Sequence, residues 1–477
     1  MQLIWFRQDL RIADHAALWH ASQAGPCAAV VFICPEQSKL HDDAPHKNLF
    51  YVRQLECLGR QLDALNIPLI IRQVPLWKDI PAQLKALCLQ LKIQNLHANI
   101  EAGANEQLRD QQVQLALAPH HIAFKQYTDR TVFPLGSILN KSGQPYQVFG
   151  AFKKQCYERL NIQLPPCYPA IHPQEKIRLN IGDQSTVDLS KLKDALQIGL
   201  HPSVQDLWPV SEQHAAALLE QFRSEDLNKY EAQRDFPNID ATSKLSPYLN
   251  MGILSIRQCL QAIFAPHGHL HFNSLGQQTW LDELLWREFY QHILLHFPQV
   301  SKHQPFKTDT QKIPWRQDEA SLKAWQQGLT GIPIVDAGMR QLLQTGWMHN
   351  RVRMICAMFL SKNLLINWRL GEKWFMQHLI DGDLAANNGG WQWCASTGTD
   401  AVPYFRIFNP VSQSQKFDPH GDYIRAWLPE LASLDAKRIH DPFAQCPQDQ
   451  ELDYPRPIVD LKASRLRAIQ AFKSISS

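Results

Sequence analysis

No Cys-x-x-Cys pair occurs among the ten cysteines and their spacing is irregular, so a disulfide framework is excluded and reduced thiols in a cytoplasmic protein are expected. No signal-peptide pattern is present. An uninterrupted apolar run long enough to cross a bilayer is also missing, and no membrane partner is expected. Neither sign of charge is in excess: 48 Lys and Arg stand against 45 Asp and Glu, a formal net charge of +3. A nucleic-acid partner would therefore need positive charge gathered on one face. There is no internal repeat, P-loop, H-E-x-x-H or G-x-S-x-G. No G-x-G-x-x-G follows the first strand pattern, which argues against a dinucleotide on the usual glycine turn. The nearest approach to a metal motif, His267-Gly-His-Leu-His271, has no cysteine or carboxylate to complete a set and reads as a solvated loop, so no metal is expected.

What is present divides into three stretches. A chain of 477 residues with 45% hydrophobic and 19% charged residues exceeds one ordinary core, so two domains are expected. Residues 1–132 alternate β-branched runs (Leu3–Phe6, Ala28–Ile33, Pro68–Ile71, Asn95–Ile100, Ile122–Phe124) with helical patterns near 14–24, 47–65, 79–92 and 104–118. That alternation predicts an α/β fold, a doubly wound parallel sheet. Residues 133–200 gather prolines and read as a long surface linker, and 201–477 read as an all-α domain. Arg7, Asp9 and Arg11 follow the first strand at its carboxyl end; a ligand site and a salt-bridged turn both fit them.

Ten of the fourteen tryptophans fall at or after Trp280. The stretch Asp381-Gly-Asp-Leu-Ala-Ala-Asn-Asn-Gly-Gly-Trp-Gln-Trp393 carries too many polar groups for a core segment. Asp383 is placed to cap a short helix over 384–388, which Gly389 and Gly390 would stop while letting backbone approach a flat polar group. In Trp280-Leu-Asp-Glu-Leu-Leu-Trp-Arg-Glu-Phe-Tyr290, helical spacing sets Trp280, Glu283 and Arg287 on one face, with Trp286 at its edge. A Glu283–Arg287 surface pair and a hydrogen-bonding carboxylate are both open there. In Gly346-Trp-Met-His-Asn-Arg-Val-Arg-Met354, Asn350 and Met354 share a direction while Arg351 and Arg353 diverge. Tyr230 to Pro237 and Thr242-Ser-Lys-Leu-Ser246 offer hydroxyls and amides at a helix start, suited to a phosphate or to a plain cap.

Together with Trp5-Phe-Arg-Gln-Asp-Leu-Arg11 and Ala395-Ser-Thr-Gly-Thr-Asp-Ala-Val-Pro-Tyr-Phe-Arg-Ile-Phe-Asn-Pro410, these stretches resemble the photolyase/cryptochrome family nearly end to end, most closely its bacterial class I cyclobutane pyrimidine dimer photolyases. The resemblance implies an FAD-dependent enzyme that flips a pyrimidine dimer out of ultraviolet-damaged DNA and splits it with blue light. It implies FAD contacts at Tyr230, Thr242, Ser243, Lys244, Leu245, Ser246, Trp280, Arg353, Asp381, Gly382, Asp383 and Asn387. Asn387 would face the flavin ring, with Arg353 paired to Asp381. It further implies lesion or DNA contacts at Arg234, Glu283, Trp286, Arg287, Asn350, Arg351, Met354, Trp393 and Gln413, and an electron relay through Trp391, Trp368 and Trp315. Asn105, Glu106 and Lys302 match contacts of a methenyltetrahydrofolate antenna. Asn350 and Met354 stand where enzymes for the (6-4) lesion carry histidine, and Asn387 where plant cryptochromes carry aspartate. The alternative within the family is a cryptochrome-type photoreceptor, which would need a signalling tail; about 18 residues follow Val459. A monomer is expected.

Overall fold

The computed structural model describes residues 1–179, 187–197, 203–444 and 452–475. It opens with five parallel strands, β1 (Gln2–Phe6), β2 (Cys27–Ile33), β3 (Leu69–Gln73), β4 (Asn95–Asn99) and β5 (Ala123–Tyr127), in the order β3-β2-β1-β4-β5. β1 is buried along its whole length because helices cover both faces of a parallel sheet. The covering helices are α1 (Ala16–Ala24), α2 (Pro35–Leu40), α3 (Pro45–Ala64), α4 (Ile80–Gln90) and α5 (Ala104–Leu117). This is the doubly wound arrangement that the alternating pattern predicts. Its strand order reverses between β1 and β4, where such sheets leave a crevice beyond the strand ends.

The expected long surface linker contains a helix, α6 (Phe149–Ile162). Phe149, Phe152, Cys156 and Leu160 recur at helical spacing and are buried, a period that the flanking prolines obscured. Residues 180–186 and 198–200 of that stretch lie outside the described residues.

Packing divides the chain into two compact units, 1–228 with 243–301, and 229–242 with 302–477. In the first, the helix Leu275–His296 packs on α6, and buried Glu288 on that helix accepts from the Val132 and Phe133 amides at 2.8 and 3.0 Å. Gly252 (φ 64°) belongs to the same unit. A Cβ there would lie 2.6 Å from the Asp9 backbone, so only glycine allows the chain this approach to the turn after β1.

The second unit is helical. Its core gathers Trp325, Met339, Val352, Phe359, Trp368, Phe375, Trp391, Tyr423 and Tyr454. Helices Asn350–Met358, Trp368–Met376 and Leu384–Ala395 contribute to that core; the first carries Asn350 to Met354 and the last carries Leu384 to Trp393 of the stretches noted above.

Candidate functional site

Within the first unit, the turn after β1 resolves into separate roles. Arg11 is fully buried and donates to both oxygens of Asp129 at 2.7 and 2.8 Å, while Asp9 accepts from the Arg7 amide at 2.6 Å. The salt-bridged turn describes those two. Arg7 pairs with Asp110 at 2.9 and 2.8 Å and also lines a cavity of about 250 Å³ with Trp5, Gln8, Trp77, Glu106 and Arg109. The Arg109 guanidinium lies 4.8 Å from the Trp5 ring centre and 4.6 Å from that of Trp77. Burial and the Glu101 charge push the Glu106 carboxyl up to about 7. Asn105 lies 3.2 Å from a ring nitrogen of His41, another lining residue. Lys302, which belongs to the second unit, ends the short turn Val300–Lys302.

Also in the first unit, the Ser246–Asn250 helix has Leu245 in the capping position, which excludes a hydroxyl cap for that helix. Lys244 adopts φ 51° just before it. On the long Leu275–His296 helix, Trp280 is buried against Phe222, while Glu283, Trp286 and Arg287 form a half-buried stripe. Trp286 stacks on Phe149 at 3.7 Å, and Arg287 donates to the carbonyls of Arg130 and Leu249. That last bond joins the stripe to the Ser246–Asn250 helix.

Within the second unit, Asp383 caps its helix by accepting from the Ala386 amide at 3.4 Å. The helix does not stop at Gly389 and Gly390; it runs to Ala395 and ends on Ser396 at φ 62°. Packing of Trp391 and Cys394 into the core outweighs the modest helix penalty of two glycines. A Cβ on Gly390 would meet nothing within 4 Å, so the bare backbone borders open space. Arg353 and Arg351 diverge as the spacing predicts. Arg353 donates to both oxygens of Asp381 at 3.1 and 2.9 Å, and Arg351 to Asp235 at 2.7 Å with its guanidinium 4.5 Å from the Phe417 ring centre. Asn350 is exposed at the helix start, with Met354 half-buried one turn on. His349 caps that helix through its ring nitrogen, and burial holds it down at about 4, in the neutral form a cap requires.

Asn387 donates through Nδ2 to the backbone and carboxyl oxygens of Glu372, at 3.0 and 3.1 Å. Two acceptors on one side fix the amide orientation and turn its carbonyl oxygen the other way. Tyr230 is buried with the Arg234 guanidinium 5.4 Å from its ring centre. Thr242, Trp393 and Gln413 are half-buried, as is Gly389. Trp391 and Trp368 lie inside the core; Trp315 packs at its edge, 6.3 Å from Phe472.

Asp235, Glu372 and Trp77 escaped the reading of the sequence, because each acts by contact with a residue far away along the chain. A family model for DNA photolyase matches residues 2–170, and one for the FAD binding domain of DNA photolyase matches 280–474. The chain is 42% identical to the deoxyribodipyrimidine photo-lyase of Salmonella typhimurium over 99% of its length and 98% of that enzyme's. It belongs to the DNA photolyase family. The Escherichia coli photolyase of the same name is 41% identical with the same coverage. Among solved structures, a bacterial class III photolyase from Agrobacterium tumefaciens superposes with a TM-score of 0.85 at 34% identity, covering 100% of this chain and 97% of that one. A Synechocystis cryptochrome gives 0.83 at 27% identity, with 99% of each chain covered, so photolyases and cryptochromes share this fold.

Proposed function

We propose that this photolyase binds ultraviolet-damaged DNA and splits cyclobutane pyrimidine dimers with light, as a cytoplasmic monomer. The supporting observation is its full-length likeness to two deoxyribodipyrimidine photo-lyases at 41 and 42% identity. FAD, when bound and reduced, supplies the light-driven electron that opens the cyclobutane ring and then takes it back.

The donor set fits that cofactor. Asn387 offers an oriented carbonyl oxygen, the Arg353–Asp381 pair offers fixed charge, and the bare Gly390 backbone leaves room for a flat ring. Tyr230, Thr242, Ser243, Lys244, Leu245, Ser246, Trp280, Gly382 and Asp383 complete the flavin contacts. Glu283, Asn350 and Met354 orient the flipped bases, Trp286 and Trp393 stack on them, and Arg234, Arg287, Arg351 and Gln413 hold the DNA strand. Trp391, Trp368 and Trp315 conduct electrons to oxidised flavin. Asn105, Glu106 and Lys302 hold a folate antenna; the cavity beside Glu106, walled by Trp77 and Trp5, suits a flat heteroaromatic ring.

The test is chromatography of a thymine-dimer oligonucleotide after incubation with chemically reduced protein, in blue light and in darkness. Dimer lost in light alone is expected. Dimer unchanged in light overturns the proposal.

A further inference from the structure

The geometry points to Gly371 as a positioning residue for electron transfer through Trp391, an inference that rests on reading Trp391, Trp368 and Trp315 as a relay. Gly371 lies three residues after Trp368 on the Trp368–Met376 helix, so the two share a face. A Cβ built on Gly371 would lie 2.1 and 2.5 Å from the six-membered ring of Trp391 and 2.5 Å from Leu360. No methyl group fits there. The missing side chain is what lets the Trp391 indole rest against the helix backbone one turn from Trp368.

Two further rings confine the same indole, Phe375 edge-on at 4.9 Å and Trp325 edge-on at 5.9 Å. A buried, close-packed ring in such a clamp cannot yield by rotation; it must move bodily. Among the described residues the buried indole N–H groups of Trp391 and Trp374 make no hydrogen bond within the protein, whereas the Trp325 N–H donates to the Cys356 carbonyl at 3.1 Å. In the relay one electron leaves Trp391 for photoexcited oxidised flavin, one from Trp368 refills Trp391, and one from Trp315 refills Trp368. A soluble thiol returns the single missing electron at Trp315. Transfer falls steeply with edge-to-edge separation, so a methyl at Gly371 that pushes the Trp391 ring from Trp368 weakens this hop.

The experiment compares wild type, Gly371→Ala and Trp368→Phe by flavin content, melting temperature, and flavin photoreduction yield in blue light with excess thiol. Transient absorption follows tryptophan radicals. Gly371→Ala is expected to retain flavin and to repair dimers normally after chemical reduction, yet to lose photoreduction severalfold with weaker radical signal. A purely structural defect would instead lower repair and photoreduction together. Full photoreduction in Gly371→Ala, with Trp368→Phe inactive in the same assay, overturns the positioning role alone; full photoreduction in Trp368→Phe overturns the relay itself. If Gly371→Ala does not fold, Phe375→Leu loosens the clamp without adding volume. Wild-type yield in that variant overturns the proposal, and a severalfold loss with repair intact supports it.

Discussion

Arg351 shows how one side chain's role depends on its partner. The sequence leaves it as a cation on a helix that faces DNA by resemblance, but in the folded chain its charge is shared with Asp235 and its plane rests on Phe417. An Arg so held is pre-organised, and part of its attraction for phosphate is cancelled by the neighbouring carboxylate. Arg351→Ala is therefore expected to weaken binding to damaged and undamaged duplexes alike and to lower the salt slope of log K by about one unit. Asp235→Asn is expected to do the reverse, tightening binding most at low salt. Filter binding across a salt series reads both. A slope unchanged in Arg351→Ala would take this residue away from the DNA.

At the scale of elements, the Leu384–Ala395 helix carries two glycines that its packing does not require at Gly390, since a Cβ there meets open space. Gly390→Ala should stabilise the flavin-free protein by about 0.5–1 kcal/mol, the usual gain for alanine over glycine in a helix, and should weaken flavin retention if that space belongs to the cofactor. Thermal melts and flavin titration separate the two effects, and full flavin affinity in the variant would remove Gly390 from the cofactor's surroundings. A second element is tied down by one buried acid. Asp336, in the Pro333–Thr345 helix, accepts from the Thr330 amide and hydroxyl, the Gly331 amide and the Tyr454 hydroxyl at 2.5–3.0 Å, which fastens the segment near Tyr454 to the core. Burial pushes this carboxyl up to about 6, while the hydrogen bonds hold it back. The folded state then binds the proton more tightly than the unfolded chain does. This group's stabilisation is full below about pH 4 and is lost as pH rises toward 6, a change of about 3 kcal/mol at most. Asp336→Asn is expected to flatten stability across that window while lowering it throughout, because an amide N–H would face other donors. Denaturant midpoints at stepped pH measure it, and an equal slope in the variant would assign the pH dependence elsewhere.

For the whole molecule, Asn105 and Glu106, proposed to hold an antenna, stand on α5 beside the sheet, while none of the residues proposed to contact flavin belongs to that helix. Replacing both with alanine is expected to remove near-ultraviolet absorbance from the purified protein and leave the flavin bands unchanged. Absorbance retained in full would overturn the folate assignment at these residues.

The sequence by itself determined the parallel sheet and four of its helices to within a few residues, though not the short α2, because strand and helix periods are local and their apolar faces must be buried whatever packs on them. It also carried the family, whose motifs are contiguous, and the divergence of Arg351 and Arg353, which follows from helical spacing alone. Tertiary structure decided what depended on distant partners. Glu372 orients Asn387 across 15 residues and Asp235 engages Arg351 across 116, and neither pairing leaves a periodic trace. The helix through Gly389 and Gly390 persists for the same reason: a local preference worth about 1 kcal/mol per glycine yields to the burial of Trp391 and Cys394, an energy set by the core around them.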